Sequence, residues 1–362
     1  MFDQPASLSS TVSPTQIKLR RPALAFIWLS IAVIAVFLLA LVFGSVTIPL
    51  DQIITVLMGG EAERASWTSI VMQFRLPRAL TAIIAGAALG VSGLLMQTLF
   101  RNPLAAPDVL GINSGASLGV ALVVLSTGVG SGQLLAGVGL GGDLSLAAAA
   151  TLGAALTVAI ILQLSQYLRS GTTLLIVGLM VGQFTFACVS LLLYFSIPER
   201  IQAYINWGFG SFGGVTWAQF PILGCGAAAG LLLSAIIIKP LNALLLGETY
   251  AESLGVHVRR LRLGIILAAA LLTGAVTAFC GPIGFISIAA PHLCRNVMRS
   301  ADHHVLLPGT ALVGALVALT ASIIAEAPGT RLTLPLNAVT ALLGAPVVLA
   351  ILLRRKETVS ND

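Results

Sequence analysis

Uninterrupted apolar runs of about 20 residues recur along this chain and leave it few ways to fold. As a helix rising 1.5 Å per residue, such a run matches the roughly 30 Å hydrocarbon core of a bilayer. Only helices and closed barrels cross that core, because every backbone N–H and C=O there needs a protein partner. Continuous apolar runs, rather than strict alternation, point to helices. Charge is also too sparse for a soluble surface. Of 362 residues, 57% are hydrophobic and 9% charged, with a mean hydropathy of +1.00, where a soluble domain carries roughly 25% charged residues. The expected fold is an all-α polytopic membrane protein.

Polar breaks give ten expected transmembrane helices, at about 22–44, 78–99, 110–129, 145–168, 172–195, 218–238, 261–280, 283–300, 308–327 and 336–353. Residues 1–21 read as a disordered cytoplasmic segment, and 357–362 as a short tail. The first run follows Lys18, Arg20 and Arg21 and lacks a small-x-small cleavage site, so it reads as an uncleaved span. Ten spans place both termini on one side. With the termini inside, 14 of the 19 Lys and Arg residues fall in cytoplasmic segments and 5 in outer ones, as the positive-inside rule favours. The pI near 9.5 follows from that bias and implies no nucleic acid. Small residues, as in "AGAALGVSG" (85–93) and "GALVALTAS" (314–322), let helix backbones approach closely in lipid.

What is missing narrows the function. No acid falls deep in an expected span; Asp108 precedes one, and Glu326 is near the outer end of another. Proton- or sodium-coupled carriers keep such a residue as the coupling group, so its absence argues against a stand-alone carrier. None of the three lysines fits G-x-x-x-x-G-K-[ST], so the chain has no P-loop. H-E-x-x-H does not occur, which leaves no visible metal-hydrolase set. The cysteines (Cys188, Cys225, Cys280, Cys294) read as packing residues, and His303–His304 beside Asp302 reads as a solvated polar turn. A solute mover without its own energy source implies a partner that has one.

The polar stretch "LLLGETYAESLGVHVRRLR" (244–262) lies between two of the apolar runs. Leu246, Tyr250 and Leu254 fall at i, i+4 and i+8, forming one apolar stripe, with Glu248 and Glu252 roughly opposite. Gly255 suits the left-handed position that ends a helix. The expectation is a short amphipathic cytoplasmic helix over 244–256. A helix lying on lipid would place Lys or Arg on its polar face. This one presents carboxylates, so a protein partner is the better reading.

At this point the chain resembles the FecCD-type permeases of ATP-driven importers for iron-siderophores, vitamin B12 and haem. The resemblance rests on "RLPRALTAIIAGAALGVSGLLMQ" (75–97), "RNPLAAPDVLGINSGASLGV" (101–120), "GETYAESLGV" (247–256), "GPIGFISIAAPHLCR" (281–295), "DHHVLLPG" (302–309) and "VTALLGAPV" (339–347). It covers residues 22–356. It implies two permease copies, or this chain and a paralogue, with two ATPase subunits that carry ATP and Mg and a soluble or lipid-anchored binding protein outside. This chain itself would bind no cofactor and no metal.

Carried over by position, the resemblance makes Leu246, Gly247, Glu248, Ala251, Leu254 and Gly255 the contacts of the coupling helix with the ATPase. Arg75 and Arg78 would meet acids on the binding protein. A third basic position of the family is Glu326 here, with Arg331 five residues later as its replacement, and the family's "ELPxG" reads "TLPLN" (333–337). Short loops would gate the pathway at Asn113, Ser114 and Gly115 and at Thr172 and Thr173; capping of helix starts explains these residues equally well. The expected cargo is a ferric siderophore, with cobalamin or haem as alternatives. The location implied is the inner membrane of a bacterium.

Overall fold

The computed structural model describes residues 14–125, 142–168, 171–330 and 332–359. Among them are fifteen α-helices: α1 (Pro14–Val42), α2 (Leu50–Leu57), α3 (Ala65–Ile70), α4 (Leu76–Phe100), α5 (Ile112–Leu125), α6 (Gly142–Ser165), α7 (Gly171–Tyr194), α8 (Pro198–Gly208), α9 (Phe220–Ile236), α10 (Ile238–Leu245), α11 (Glu248–Ser253), α12 (Val258–Cys280), α13 (Ile286–Met298), α14 (His303–Ala325) and α15 (Leu336–Val359). A π-helical stretch, Val71–Arg75, joins α3 to α4, and a 3-10 turn, Pro107–Leu110, precedes α5. The first helix begins at Pro14, so residues 14–21 are helical rather than the disordered segment expected.

Six helical stretches are long and apolar enough to cross a membrane alone, and α9 with α10, bent by 56°, makes a seventh. Of the other three expected spans, α15 runs 24 residues, the described part of α5 runs 14, and α13 has only 13. Non-helical chain precedes the last of these. After α4 ends at Arg101, residues 102–106 lead back to the 3-10 turn, where the Val109 carbonyl packs on Gly178, inside α7. Seven residues of α7 precede Gly178, which puts this turn about 10 Å along that helix. Hydropathy windows do not register such re-entry.

The interior axis is α4. Its span is 78% buried, against 22% for α7 and 11% for α1. It packs against α14, α12, α13 and α9. A Cβ at Gly86 would strike the Gly314 carbonyl and one at Gly314 the Gly86 carbonyl, so α4 and α14 touch backbone to backbone. In lipid that close packing, rather than apolar burial, is what drives helices together. Hydroxyls add to it, as where Ser92 Oγ and Thr273 Oγ1 lie 2.8 Å apart between α4 and α12.

Two polar ends frame the bundle. At one, α11 connects α10 to α12; at the other, α8 connects α7 to the segment leading to α9.

Candidate docking surface and pathway residues

At the α11 end the chain presents an apolar surface with no cover. Leu245, Leu246, Tyr250 and Leu254 are 47%, 66%, 52% and 58% exposed. Gly247, with φ of 124°, breaks the chain between α10 and α11, a backbone state L side chains rarely adopt. The helix that follows is therefore six residues long, shorter than the expected 244–256. It ends as the sequence indicates. Val256 N–H donates to the Ala251 carbonyl at 3.0 Å and Gly255 N–H to Glu252 at 2.9 Å, with Gly255 at φ of 83°. That is a Schellman closure.

The site residues divide here. Leu246, Leu254 and the glycines lie on or beside the exposed stripe. Ala251 is fully buried, so it holds α11 against the bundle and offers no contact surface, a correction to the expectation. Glu248 receives a bond from Arg262 Nη2 at 3.4 Å, and Arg262 Nη1 donates to the Leu168 carbonyl at 3.0 Å. One of the two acids is thus tied to the start of α12. The residues sequence reasoning left out are Tyr250 and Leu245; Tyr250 was visible in the i, i+4, i+8 spacing.

At the α8 end, Arg75 is 5% exposed. Its Nη1 donates to the carbonyls of Leu41 at 2.6 Å and Val42 at 2.9 Å, and Nη2 to that of Val46. These are carbonyls at and just past the end of α1, groups a helix leaves without an internal partner. Arg75 thus serves the fold and is too buried for the docking role expected of it. Arg78 pairs with Glu326, the acid that stands where the family carries a base. Arg331 lies outside the described residues.

The gate residues do not converge. Asn113 Nδ2 donates to Asp108, and Asn113 Oδ1 accepts from Thr277 Oγ1 at 2.7 Å. A Cβ at Gly182 would lie 3.5 Å from Ser114 Oγ. Thr172 and Thr173 are exposed at the start of α7, roughly 15 Å along the helix from Gly182. Gly115 is buried where α5 meets Gly153 and Thr157 of α6, a helix contact rather than a loop. Asp108 stands where the sequence puts it, just before the fifth helix, exposed on the 3-10 turn.

Comparison with known proteins decides the family. The profile of the FecCD transport family matches residues 32–354. The chain belongs to the FecCD transport family. Among its FecCD relatives, the vitamin B12 import system permease protein BtuC of Salmonella typhi is 38% identical over 290 residues, 78% of this chain and 83% of that protein. The same protein of Salmonella newport matches equally. A solved structure of a metal-chelate type ABC transporter in an inward-facing conformation superposes with a TM-score of 0.79 at 28% identity, over 92% of this chain and 99% of that one. PsaBC from Streptococcus pneumoniae, in complex with Fab, shares the fold at a TM-score of 0.50 and 18% identity, over 77% of this chain and 90% of that one. This FecCD chain is a multi-pass membrane permease of the ABC importer class.

The departure from the FecCD pattern at "TLPLN" has a structural use. Asn337 Nδ2 donates to the carbonyls of Pro282 at 2.6 Å and Gly208 at 3.2 Å, and its Oδ1 accepts from Gly284 N–H at 2.9 Å. One amide thereby ties α8 and the loop before α13 to the start of α15. Residues close by line a cavity of about 180 Å³, including Asn206, Trp207, Ser211 and Gln219.

Proposed function

We propose that this chain is the membrane subunit of an ATP-driven importer, lying in the inner membrane of a bacterium with both termini cytoplasmic. Two copies, or one copy and a paralogue, would form the pathway. Two separate ATPase subunits, holding ATP and Mg, would supply the energy, and a binding protein would deliver cargo to the α8 end through Arg78 and Arg331. The observation that carries this reading is the uncovered apolar surface of Leu245, Leu246, Tyr250 and Leu254 on and beside the short helix α11, which bears two acids. Interface cores are rich in such aromatic and aliphatic anchors and poor in charge. Leu246→Asp combined with Leu254→Asp alters only exposed positions. Co-purification of the ATPase should fall about ten-fold, with the chain's own thermal melt unchanged. Retention of the ATPase at the wild-type level would sink the docking assignment.

The cargo is a large metal chelate, with a ferric siderophore as the first reading. Support comes from the resemblance to iron-chelate permeases and the metal-chelate transporter of the same fold. Cobalamin is the second reading, favoured by the 38% identity to vitamin B12 permeases. Uptake of a ferric siderophore and of cobalamin into vesicles holding the whole complex separates the two: the true cargo competes with its own labelled form at micromolar excess.

A further inference from the structure

We propose that Asn242 and His303 form a clasp that transmits movement of the docking helix into the core of the bundle, an inference that rests on the ATPase-docking reading of α11. Asn242 lies on α10, which leads into α11 with only Leu246 and Gly247 between them. Its Oδ1 accepts from the backbone N–H of His303 at 2.9 Å and from His303 Nδ1 at 2.7 Å. Its Nδ2 donates to Asp302 Oδ1 at 2.6 Å, and that same oxygen caps α14 by accepting His304 N–H at 2.9 Å. The far side of the His303 ring reaches α4, with Nε2 2.9 Å from Thr98 Oγ1. Arg101, just past the end of α4, donates from Nη2 to the Leu244 carbonyl of α10 at 3.0 Å. Two side chains thus bind α10 to α14 and α4, the pair that meets backbone to backbone at Gly86 and Gly314. His303 is 1% exposed, so its ring bonds are largely shielded from water.

The alternative route out of α11 is thinner. It runs through Glu248 to Arg262 at 3.4 Å, and Glu248 is 45% exposed there. Exposed pairs of that kind are worth little, whereas in the clasp the His303 bonds are buried or half-buried and specific in direction, and only the Asn242–Asp302 bond is exposed. A load on α11 therefore reaches α10 first. There α10 can swing about its 56° break from α9, drawing α14 and α4 with it through Asn242 and His303. The residues are positioning residues: they touch no cargo and no nucleotide.

The test uses the complete complex in vesicles and reads cargo imported per ATP hydrolysed. The amide nitrogen of Asn matches His Nδ1 in reach and that of Gln matches Nε2. His303→Asn therefore keeps the side-chain bond to α10, while His303→Gln keeps only the one to α4. Expected is a fall of about five-fold in cargo per ATP for Asn242→Leu and for His303→Gln, with ATP hydrolysis within about two-fold of wild type. His303→Asn should stay within about two-fold of the wild-type ratio. A purely structural role would lower hydrolysis and uptake together and leave the ratio alone, which overturns the proposal. So does equal behaviour of the Gln and Asn variants. Should Asn242→Leu fail to assemble, the Gln and Asn pair decides alone. Failure of the wild-type complex to bind or need its ATPase would instead overturn the docking reading itself.

Discussion

A carboxylate at the start of a helix stabilises it only while ionised, and Asp302 is held in that form. The His304 N–H, then the Asn242 amide and the His304 ring, keep its carboxyl below the usual carboxylate range against a smaller opposing effect of burial. A depressed folded pKa contributes stability that is complete above the unfolded value near 4 and is lost as pH falls through the folded one. Asp302→Ala should therefore cost about 1 kcal/mol at neutral pH. The gap between variant and wild type should close as pH falls through the lowered titration of the Asp302 carboxyl. Thermal unfolding in detergent at both pH values checks this, and a gap that persists in acid would show that packing, not charge, makes the cap. The neighbouring His303 was read from the sequence as part of a solvated turn. Its polar neighbours Asp302 and His304 are exposed, and nothing local signals that His303 turns inward to partners 61 and 205 residues away. Arg75 misled for the same reason: its partners lie on α1, some 30 residues back.

At the scale of elements, what periodicity controls was legible and what backbone breaks control was not. The stripe 246/250/254 came out exposed, although only Tyr250 lies within the helix and Leu246 and Leu254 flank its two ends. The helix itself shrank to 248–253, since Gly247 and Gly255 both take left-handed backbone and leave room for one buried side chain, Ala251. Ten spans are expected, while six or seven described helical stretches meet the length and hydropathy requirement; α13 falls short because 281–285 before it are not helical. The contact of α4 with α14 tests how far small residues set this packing. In Gly314→Leu the new Cβ meets the Gly86 carbonyl well inside contact distance, and the two backbones must part. Overpacking of a close core costs about 1–3 kcal/mol and often more. The monodisperse fraction on gel filtration should fall sharply, and Gly264→Leu, whose Cβ would have only an Ile237 methyl at 3.8 Å, should not change it. Equal behaviour of the two variants would mean that α4 and α14 can separate freely.

For the molecule as a whole, Asp108 reopens a question that composition closed too early. The absence of an acid within the spans argues against a proton- or sodium-coupled carrier, and Asp108 is the acid that tests it: its side chain is exposed on the 3-10 turn before α5, next to the Val109 carbonyl that packs on Gly178 of α7. An ionisable residue that close to the spans is read first as functional. Here, however, it is bonded to Asn113, whose other end is bonded to Thr277, so its first job is to orient an amide at the start of α5. The two readings separate in vesicles. If ATP alone drives transport, uptake by the full complex should survive a proton ionophore. Asp108→Asn, which keeps an acceptor oxygen facing the Asn113 amide, should then retain at least about half the wild-type rate. If Asp108 couples transport to an ion gradient, the ionophore should stop uptake, and the variant should exchange cargo across the membrane yet fail to concentrate it. The second pattern would make this chain a carrier with its own energy source and remove the need for α11 to dock on anything.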